Sequence, residues 1–344
     1  MSHLWDEIHE QPQALGRLLA NLDAVRAAVA ALRAAEYRYV LIAARGTSDN
    51  AGVYGKYLLG AWNGLPVALA APALFTQYER PPRLDGALVL GISQSGASPD
   101  ICTVVEEARR QGAPTLAITN TPGSRLAQAA EQVIALHAGP ERSVPATKTY
   151  TAQLLALAMF SALLSDDADR LAALAAVPAA VAETLALNAD LGPRLARYAA
   201  MRDTTVVARG YNLSTALEVA LKIKETTRLG AHPYSSADFR HGPIVVVDQG
   251  YPIVAVAPSG RTYADMRDLV SELDARGADQ IIISDQEELL AKAQTPLRLP
   301  AGIPEWLSPI AAVVPGQLLA AHLGEARGLD PDRPRGLSKV TETH

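Results

Sequence analysis

Three charged residues, Glu218, Lys222 and Glu225, follow one another at helical spacing in the segment LSTALEVALKIKETT. Intervals of four and three residues place their side chains on one face of a helix, where a carboxylate beside an amine could move protons. A solvated face of ion pairs is the competing interpretation. The chain has only six lysines against 25 arginines, and four of the six lysines lie in motifs described below. Lysine at these positions therefore favours a site that needs a titratable amine.

A polar loop with the sequence SQSGAS (residues 93–98) follows an apolar run and precedes a predicted helix. Open α/β sheets bind ligands at such loops, where the helix N-terminus offers free N–H groups. Ser93, Ser95 and Ser98 would add hydroxyl donors, and Gly96 would let the backbone approach a ligand closely. The loop predicts a site for a small anion, with an ordinary N-cap by Ser98 as the alternative.

The chain lacks the glycine motifs G-x-G-x-x-G and G-x-x-x-x-G-K-[ST] that bind dinucleotides and nucleoside triphosphates. A sugar phosphate is therefore the expected ligand of the loop at residues 93–98.

Alternating strand and helix patterns predict parallel sheets covered by helices, and the pattern occurs twice. Four landmarks keep their register: Gly46 to Gly210 and Gly96 to Gly260 are 164 positions apart, and Gly112 to Gly277 and Thr119 to Ser284 are 165. The spacing predicts an internal duplication of one α/β unit. In the second copy, APSG at residues 257–260 matches the polar loop; we expect it to keep the turn glycine but not the hydroxyl cluster.

Composition excludes several classes of function. The net charge of -5 and the lack of basic runs disfavour a nucleic-acid partner. Cys102 is the single cysteine, and the seven histidines show no paired metal-binding spacing, so neither a metal nor another cofactor is expected. The first thirty residues resemble no signal peptide, and no apolar run was expected to reach membrane-spanning length. These features predict a cytoplasmic protein without a membrane partner.

Several motifs together resemble the sugar isomerase (SIS) family, in particular the isomerase half of glucosamine-6-phosphate synthase. The resemblance spans nearly the whole chain, and it rests on these segments: EIHEQP (7–12), ARGTS (44–48), GISQSG (91–96), ATK (146–148), TAQL (151–154), ALE (216–218), LKIKE (221–225), RHGP (240–243) and DRPR (332–335). It implies two tandem SIS domains, each a flavodoxin-like three-layer α/β/α structure with a parallel sheet.

The resemblance also implies roles for individual residues. Glu225 matches the proton-shuttling carboxylate, His241 the ring-opening acid/base, Lys222 the lysine near O1 and O2, and Lys339 a late lysine that folds over the substrate. The positions that match the phosphate and sugar contacts are Thr47, Ser48, Ser93, Gln94, Ser95, Ser98 and Val144. In this family the histidine comes from the neighbouring subunit, so a homodimer with shared active sites is implied.

The predicted organisation is an N-terminal helical segment (1–35), a first SIS domain that binds the sugar phosphate (36–165), a helical linker (166–200), a second SIS domain with the catalytic helix (201–327) and a C-terminal tail over the active site (328–344). The chain begins where the synthase's amidotransferase domain would end, so glutamine-dependent synthesis is not expected unless a second chain supplies it.

The predicted function is isomerising deamination of glucosamine 6-phosphate, a hexosamine phosphate, to fructose 6-phosphate and ammonia. Ala97, Ser98 and Pro145 depart from the family pattern, which leaves the substrate open. Two alternatives remain: a fructosamine-6-phosphate deglycase, and a non-catalytic sugar-phosphate sensor. The sensor is disfavoured because it would not need Glu225 and His241 together, and because the first 36 residues contain no helix-turn-helix pattern.

Overall fold

The computed structural model describes residues 2–339 and contains two five-stranded parallel sheets. The first sheet has the order β2-β1-β3-β4-β5. Its strands are β1 (Tyr39–Ala43), β2 (Val67–Leu69), β3 (Ala87–Ile92), β4 (Thr115–Thr119) and β5 (Gln132–Ala135). The second sheet has the order β10-β9-β8-β6-β7. Its strands are β6 (Asp203–Ala208), β7 (Gly230–Ser235), β8 (Pro252–Val256), β9 (Asp279–Ser284) and β10 (Thr295–Arg298). The α/β fold with two parallel sheets is thus confirmed.

Sixteen α-helices connect and cover these strands in the described part of the chain. They are α1 (His3–His9), α2 (Gln11–Leu19), α3 (Leu22–Arg33), α4 (Thr47–Asn63), α5 (Ala73–Thr76), α6 (Pro99–Arg110), α7 (Arg125–Ala129), α8 (Lys148–Leu164), α9 (Ala168–Leu174), α10 (Val177–Leu187), α11 (Leu191–Leu195), α12 (Leu213–Thr227), α13 (Ser236–Arg240), α14 (Tyr263–Ala275), α15 (Glu287–Leu290) and α16 (Ser308–Ala326). Short 3₁₀ turns occupy Ala196–Tyr198, Gly210–Asn212 and Pro243–Val246.

The two sheets repeat one topology. Reading β6 as β1 and β7 as β2, both sheets have the order 2-1-3-4-5, and helices follow the strands in the same sequence. The strands β3 and β4 are buried along their whole length, as expected for a parallel sheet covered on both faces. Two of the three landmark glycine pairs also agree in conformation: φ is 53° at Gly46 and 60° at Gly210, and 79° at Gly112 and 78° at Gly277, whereas φ is 63° at Gly96 and 147° at Gly260.

The contacts divide the chain into two compact units, and each unit is made of several separate segments of the sequence. The first α/β unit contains residues 13–141, 148–175 and the described residues from Ser338 onward. The second α/β unit contains the described residues through Pro12, together with 142–147 and 176–337. This division splits the predicted linker (166–200) after residue 175 and assigns residues 142–147 of the predicted first domain to the second unit. The predicted domain boundaries stay a prediction. The last five residues of the predicted tail, 340–344, lie outside the described residues.

One segment, Ala168–Leu187, is long and apolar enough to cross a membrane by length and composition alone. This segment is weak evidence for a membrane span. The structure divides it into α9 and α10, and the segment contains the charged residues Asp169, Arg170 and Glu183. Arg170 is buried, and its guanidinium donates a hydrogen bond to Ser161 Oγ (2.8 Å). The expectation that no segment would reach this length was therefore too strict, and the cytoplasmic location stays a prediction.

Candidate functional site

The charged face of α12 is buried, not solvated. Lys222 Nζ lies 2.5 Å from Glu225 Oε2 and 3.3 Å from Glu218 Oε1. The side chains of Glu218 and Lys222 are 0% and 2% exposed, whereas that of Glu225 is 17% exposed. Buried charges persist only when they are paired, so the three groups stabilise one another. Glu225 is the member of this cluster whose side chain is partly exposed, although its Oε2 atom is buried, and it is therefore the candidate base.

The charge on Lys222 follows from its neighbours. Burial by itself would lower the pKa of Lys222, but the carboxylates of Glu218 and Glu225 outweigh burial and raise the pKa above the ordinary value for lysine. Lys222 is therefore an ammonium ion at neutral pH. It can donate hydrogen bonds to an oxygen that gains negative charge, but it is not a free amine base.

His241 follows the end of α13 and is exposed. Its backbone N–H donates to Asp238 O (3.1 Å), so the turn before Pro243 sets its position. The adjacent 3₁₀ turn presents Val245 and Val246, which are 81% and 49% exposed. His241 and these two valines therefore form an exposed surface that is partly apolar.

The segment 142–147, which carries Val144, is held by two acidic residues of the second unit. The buried carboxylate of Glu7 accepts hydrogen bonds from the backbone N–H groups of Arg142 and Ser143, the latter at 3.2 Å. Val144 N donates to the backbone oxygen of Asp332 (3.1 Å). The Asp332 carboxylate in turn accepts from the N–H groups of His3 (2.8 Å) and Leu4 (2.7 Å), at the start of α1. Glu7 of the EIHEQP motif and Asp332 of the DRPR motif therefore both position the segment 142–147.

In the first unit, the loop at residues 93–98 connects β3 to α6, as predicted. The N–H groups of Gly96 and Ala97 donate to the hydroxyls of Ser93 (3.1 Å) and Ser95 (3.3 Å). Ser98 is the N-cap residue of α6, but its side chain makes no capping hydrogen bond. The hydroxyl of Ser98 is therefore not used as an ordinary cap, which weakens the alternative interpretation of this loop.

Gly96 has a φ of 63°, and a Cβ atom there would collide with Ser124 Oγ. Glycine is thus required both by the backbone conformation and by the close approach of α7. The loop also anchors the next strand, because Gln94 O accepts from Asn120 N (3.1 Å) and from Thr119 Oγ1 (3.3 Å).

Thr47 and Ser48 begin α4, on the neighbouring loop of the same sheet edge. Ser48 is 7% exposed, and its hydroxyl accepts a hydrogen bond from Gln153 Nε2 on α8 (2.9 Å). The switch point of this strand order lies between β1 and β3, so the loops that carry Thr47, Ser48 and the 93–98 segment flank the crevice where such sheets bind ligands.

The matching loop of the second unit corrects the expectation that its hydroxyls are lost. Ser259 and Thr262 stand 164 positions after Ser95 and Ser98, so two of the three hydroxyl positions are retained. The difference is that internal carboxylates occupy this loop. Asp285 accepts from Ser259 N (2.7 Å) and Oγ (2.6 Å). Glu305 accepts from Arg261 N (2.8 Å), Thr262 N (3.2 Å) and Thr262 Oγ1 (3.0 Å).

Lys339 is the last described residue, and its Nζ donates to Glu141 Oε2 (3.1 Å) within the first unit. The Glu141 side chain is fully buried and also accepts from Thr149 N (3.1 Å) and Oγ1 (2.6 Å) at the start of α8. Glu141 and Gln94 both line a polar cavity of about 710 Å³ at the carboxyl ends of β4 and β5. The ion pair holds Lys339 to Glu141 within the first unit.

The sequence prediction missed Glu141, Glu305 and Asp285. A signal was present: LHAGPE at residues 136–141 and LPAGIPE at 299–305 match except for one substitution (His137 and Pro300) and one inserted residue (Ile303). Aligning the two halves beyond their fifth strands would have identified both glutamates as equivalent residues.

The structure thus distributes the predicted residues over two sets. Glu225, Lys222, His241 and Val144 belong to the second unit, whereas Thr47, Ser48, Ser93, Gln94, Ser95, Ser98 and Lys339 belong to the first. In the described part of the chain, no group of three or more His, Cys, Asp or Glu residues could hold a metal ion.

Known proteins resemble this chain along nearly its whole length. It is 35% identical over 339 residues to the isomerizing glutamine–fructose-6-phosphate aminotransferase of Pyrococcus horikoshii, which covers 97% of this chain and 56% of that protein. The chain therefore spans little more than half the length of the curated relatives it matches. The C-terminal domain of glucosamine-fructose-6-phosphate aminotransferase from Francisella tularensis has a TM-score of 0.88 at 27% identity, covering 97% of this chain and 98% of that one.

A second solved structure, a protein of Silicibacter pomeroyi DSS-3 provisionally described as a phosphosugar isomerase, has a TM-score of 0.86 at 33% identity and covers 96% of this chain and 100% of that one. The family model described as the SIS domain matches residues 32–163 and again residues 201–323. These two matches contain the two sheets and together make up more than half of the sequence. The chain belongs to the SIS domain family.

Proposed function

We propose that this chain catalyses the isomerising deamination of glucosamine 6-phosphate to fructose 6-phosphate and ammonia. The observation that carries the proposal is the Glu218–Lys222–Glu225 cluster, in which two buried charged residues are grouped with Glu225, whose side chain is partly exposed. A non-catalytic binding protein gains nothing from such a cluster, because buried ion pairs add little to stability compared with apolar packing.

The reaction begins with ring opening, in which His241 is the proposed acid and base. Glu225 then removes the proton from C2 of the open amino aldehyde, while O1 gains a proton and an enaminol forms. Return of a proton to C1 gives a ketimine at C2. Water adds to this carbon, ammonia leaves, and fructose 6-phosphate is formed. The Lys222 ammonium would stabilise the oxygen that carries negative charge during proton transfer.

The substrate phosphate is assigned to the loop at residues 93–98. The support is internal to the molecule: the equivalent loop of the second unit already binds two carboxylates through its N–H and hydroxyl groups. The start of this helix thus binds anionic groups in the second unit, although the turn glycine has a φ of 147° at Gly260 and 63° at Gly96. The copy at residues 93–98 likewise precedes a helix and has hydroxyl donors for a phosphate.

Ammonia is proposed to leave as a free product. Cys102, the single cysteine, is fully buried, and burial raises the pKa of its thiol. A thiol in this state is a poor nucleophile, so Cys102 is not a candidate for releasing ammonia from glutamine.

The first test is release of ammonia and fructose 6-phosphate from glucosamine 6-phosphate, with galactosamine 6-phosphate and a fructosamine 6-phosphate run in parallel. Release from the first substrate supports the deaminase. Turnover of the fructosamine alone would indicate the deglycase, and binding of sugar phosphates without any turnover would indicate the sensor.

The mechanism is tested by Glu225→Gln, which keeps the shape of the side chain but removes the base. Turnover should fall by about 1,000-fold, while the Kd for the sugar phosphate changes by less than about 3-fold. The exposed Glu183→Gln on α10 is the matched control and should behave as wild type. Persistent turnover in the Glu225 variant would contradict the assignment.

The proposed active form is a homodimer in which His241 acts on the substrate of the neighbouring subunit. The exposed His241, Val245 and Val246 support it, because they form a partly apolar surface around the predicted acid. Mixing inactive Glu225→Gln and His241→Ala chains should restore about a quarter of wild-type activity, since each mixed dimer contains one intact site. No recovery in dimers shown to have exchanged subunits would exclude a shared site.

A further inference from the structure

Arg45 lies beside the phosphate-binding loop and has no role in the proposal above. It precedes Gly46 and the start of α4, and its Nε donates to Asp100 Oδ2 (2.7 Å) in the first turn of α6. The guanidinium therefore links the two loops on either side of the crevice between β1 and β3. The Arg45 side chain is 52% exposed, so part of the group faces solvent.

Asp100 makes this position electrostatically unusual. It is 1% exposed, and its Oδ1 accepts only the N–H of its neighbour Ile101 (2.9 Å) among the described residues. A buried carboxylate two residues after Ser98 would repel a phosphate dianion bound at the same helix end. Arg45 offsets that charge.

A second acidic residue faces the guanidinium from α4. Burial raises the pKa of Asp49, while the positive charge of Arg45 opposes this shift. The charge of Arg45 thus acts on acidic residues on both sides of the crevice, Asp49 and Asp100. Its planar fork has two further nitrogens, Nη1 and Nη2, which make no hydrogen bond to any residue in the range 2–339 and can meet an anion side by side.

The second unit shows that this arrangement is not simply part of the fold. Its matching arginine, Arg209, also precedes the turn glycine, but the position of Asp100 is Ala264 there. The loop that follows is closed by Glu305 and Asp285. The arginine held by a buried aspartate therefore occurs where the loop is left open for an anion.

We propose that Arg45 is a further substrate-binding residue, which donates charge-assisted hydrogen bonds from its Nη atoms to the phosphate monoester dianion, and that Asp100 is a positioning residue for its guanidinium. This assignment rests on the proposed phosphate site at residues 93–98. It supplies the positive charge that the serine hydroxyls lack.

The simplest rival explanation is that Arg45 only neutralises Asp100. A double-mutant cycle separates the two. Arg45→Met removes the charge and keeps much of the stem, and Asp100→Asn removes the repelling carboxylate. If neutralisation were the whole role, the double variant would regain wild-type binding. If Arg45 also binds the ligand, the double variant recovers only the part of the loss that the unpaired Asp100 carboxylate causes, and its Kd stays well above the wild-type value.

The experiment measures the Kd of inorganic phosphate and of glucosamine 6-phosphate by calorimetry, with KM and kcat where turnover is found. Arg45→Met should raise both Kd values and KM by about 10- to 100-fold and leave kcat within about 3-fold. Asp100→Asn should have a smaller effect of about 3- to 10-fold, because Arg45 remains but is less well oriented. Arg80→Met, at an exposed arginine of the same unit, is the control.

Recovery of wild-type Kd in the double variant, or an unchanged Kd in Arg45→Met, would overturn the proposal. Arg45→Lys guards against a folding defect: it keeps the charge but cannot bond Asp100 and the ligand in one plane, so an intermediate Kd is expected. Because inorganic phosphate is not turned over, its Kd can be measured in every variant, and a failure of the deaminase assay would leave this test intact.

Discussion

The loops at residues 93–98 and 257–262 stand in the same place of two identical strand orders, but they meet different acceptors. In the second unit the carboxylates of Asp285 and Glu305 take up the donors of Ser259, Arg261 and Thr262. In the described part of the first unit, no carboxylate accepts a hydrogen bond from the loop. Two N–H groups of the loop donate instead to the loop's own hydroxyls.

This difference explains how one architecture can serve two purposes. N–H groups at the start of a helix attract an anion, whatever its source. Where the chain supplies its own carboxylates, the loop becomes a stable structural joint. Where the described part of the chain supplies none, the loop is the proposed site for an external phosphate.

The largest effect is expected from removing the hydroxyls of the first loop. Ser93→Ala with Ser95→Ala should raise KM for the sugar phosphate by about 100-fold, because two donors to a charged group are lost. Ser259→Ala in the second loop should leave KM unchanged and lower the free energy of unfolding by about 1–2 kcal/mol, through loss of its bond to Asp285. Steady-state kinetics and urea denaturation measure the two effects, and equal KM changes in both loops would refute the comparison.

Glu305→Ala should destabilise the protein by about 2 kcal/mol, because two N–H groups and one hydroxyl of the second loop lose their acceptor. Added phosphate should recover more stability in this variant than in wild type, since a second loop is then open to it. The exposed Glu288→Ala is the control for loss of one surface charge. A variant that phosphate stabilises no more than wild type would show that the second loop has lost its anion-binding geometry.

The hydroxyl at the end of the fourth strand is present in both units, and we expect its removal to lower the stability of the two units equally. Thr119 Oγ1 donates to Gln94 O (3.3 Å) and accepts from Thr121 N (3.2 Å), and Ser284 Oγ donates to Ala257 O (2.7 Å) and accepts from Gln286 N (3.1 Å). Thr119→Val and Ser284→Ala should each cost about 1 kcal/mol in the free energy of unfolding. A loss confined to one of them in thermal unfolding would indicate that the two loops have diverged further than their backbones suggest.

The smallest effect is expected in the pH dependence of the free energy of unfolding, because this effect is absent near neutral pH. Burial, together with the neighbouring Asp279, raises the pKa of Tyr198 in the second unit to about 12. The folded state holds this proton more tightly than the unfolded state, so the stabilisation is present below about pH 10 and is lost as the pH rises towards 12. Tyr198→Phe should flatten this alkaline decrease when unfolding is followed from pH 9 to 12, whereas an unchanged decrease would assign it to other groups.

Much of the fold could be predicted because its signals are local or periodic. The buried strands are continuous apolar runs, and the glycines at 46, 96, 210 and 260 recur at one interval. The same reasoning identified the helical face that carries Glu218, Lys222 and Glu225. It could not tell whether this face was buried, because spacing defines a face and not what covers it.

The expectation for the second loop was wrong for a related reason. The segment APSG ends before Thr262, so it does not include this hydroxyl. It also contains no sign of the groups that approach the loop from distant parts of the sequence. Glu305 lies 44 positions after Arg261, and no short-range pattern connects them.

The sequence by itself determined the parallel α/β architecture, its duplication and the residues able to do chemistry, because backbone preference and hydrophobic period act over a few residues. Only the tertiary structure decided which of two similar loops is closed by its own carboxylates, and that Lys339 meets Glu141 across 198 positions. Hydrogen bonds and charge pairing depend on distance in space, and burial removes the competing water that would make such contacts weak. The difference between a loop that the chain's own carboxylates occupy and one that they do not therefore arises only after folding.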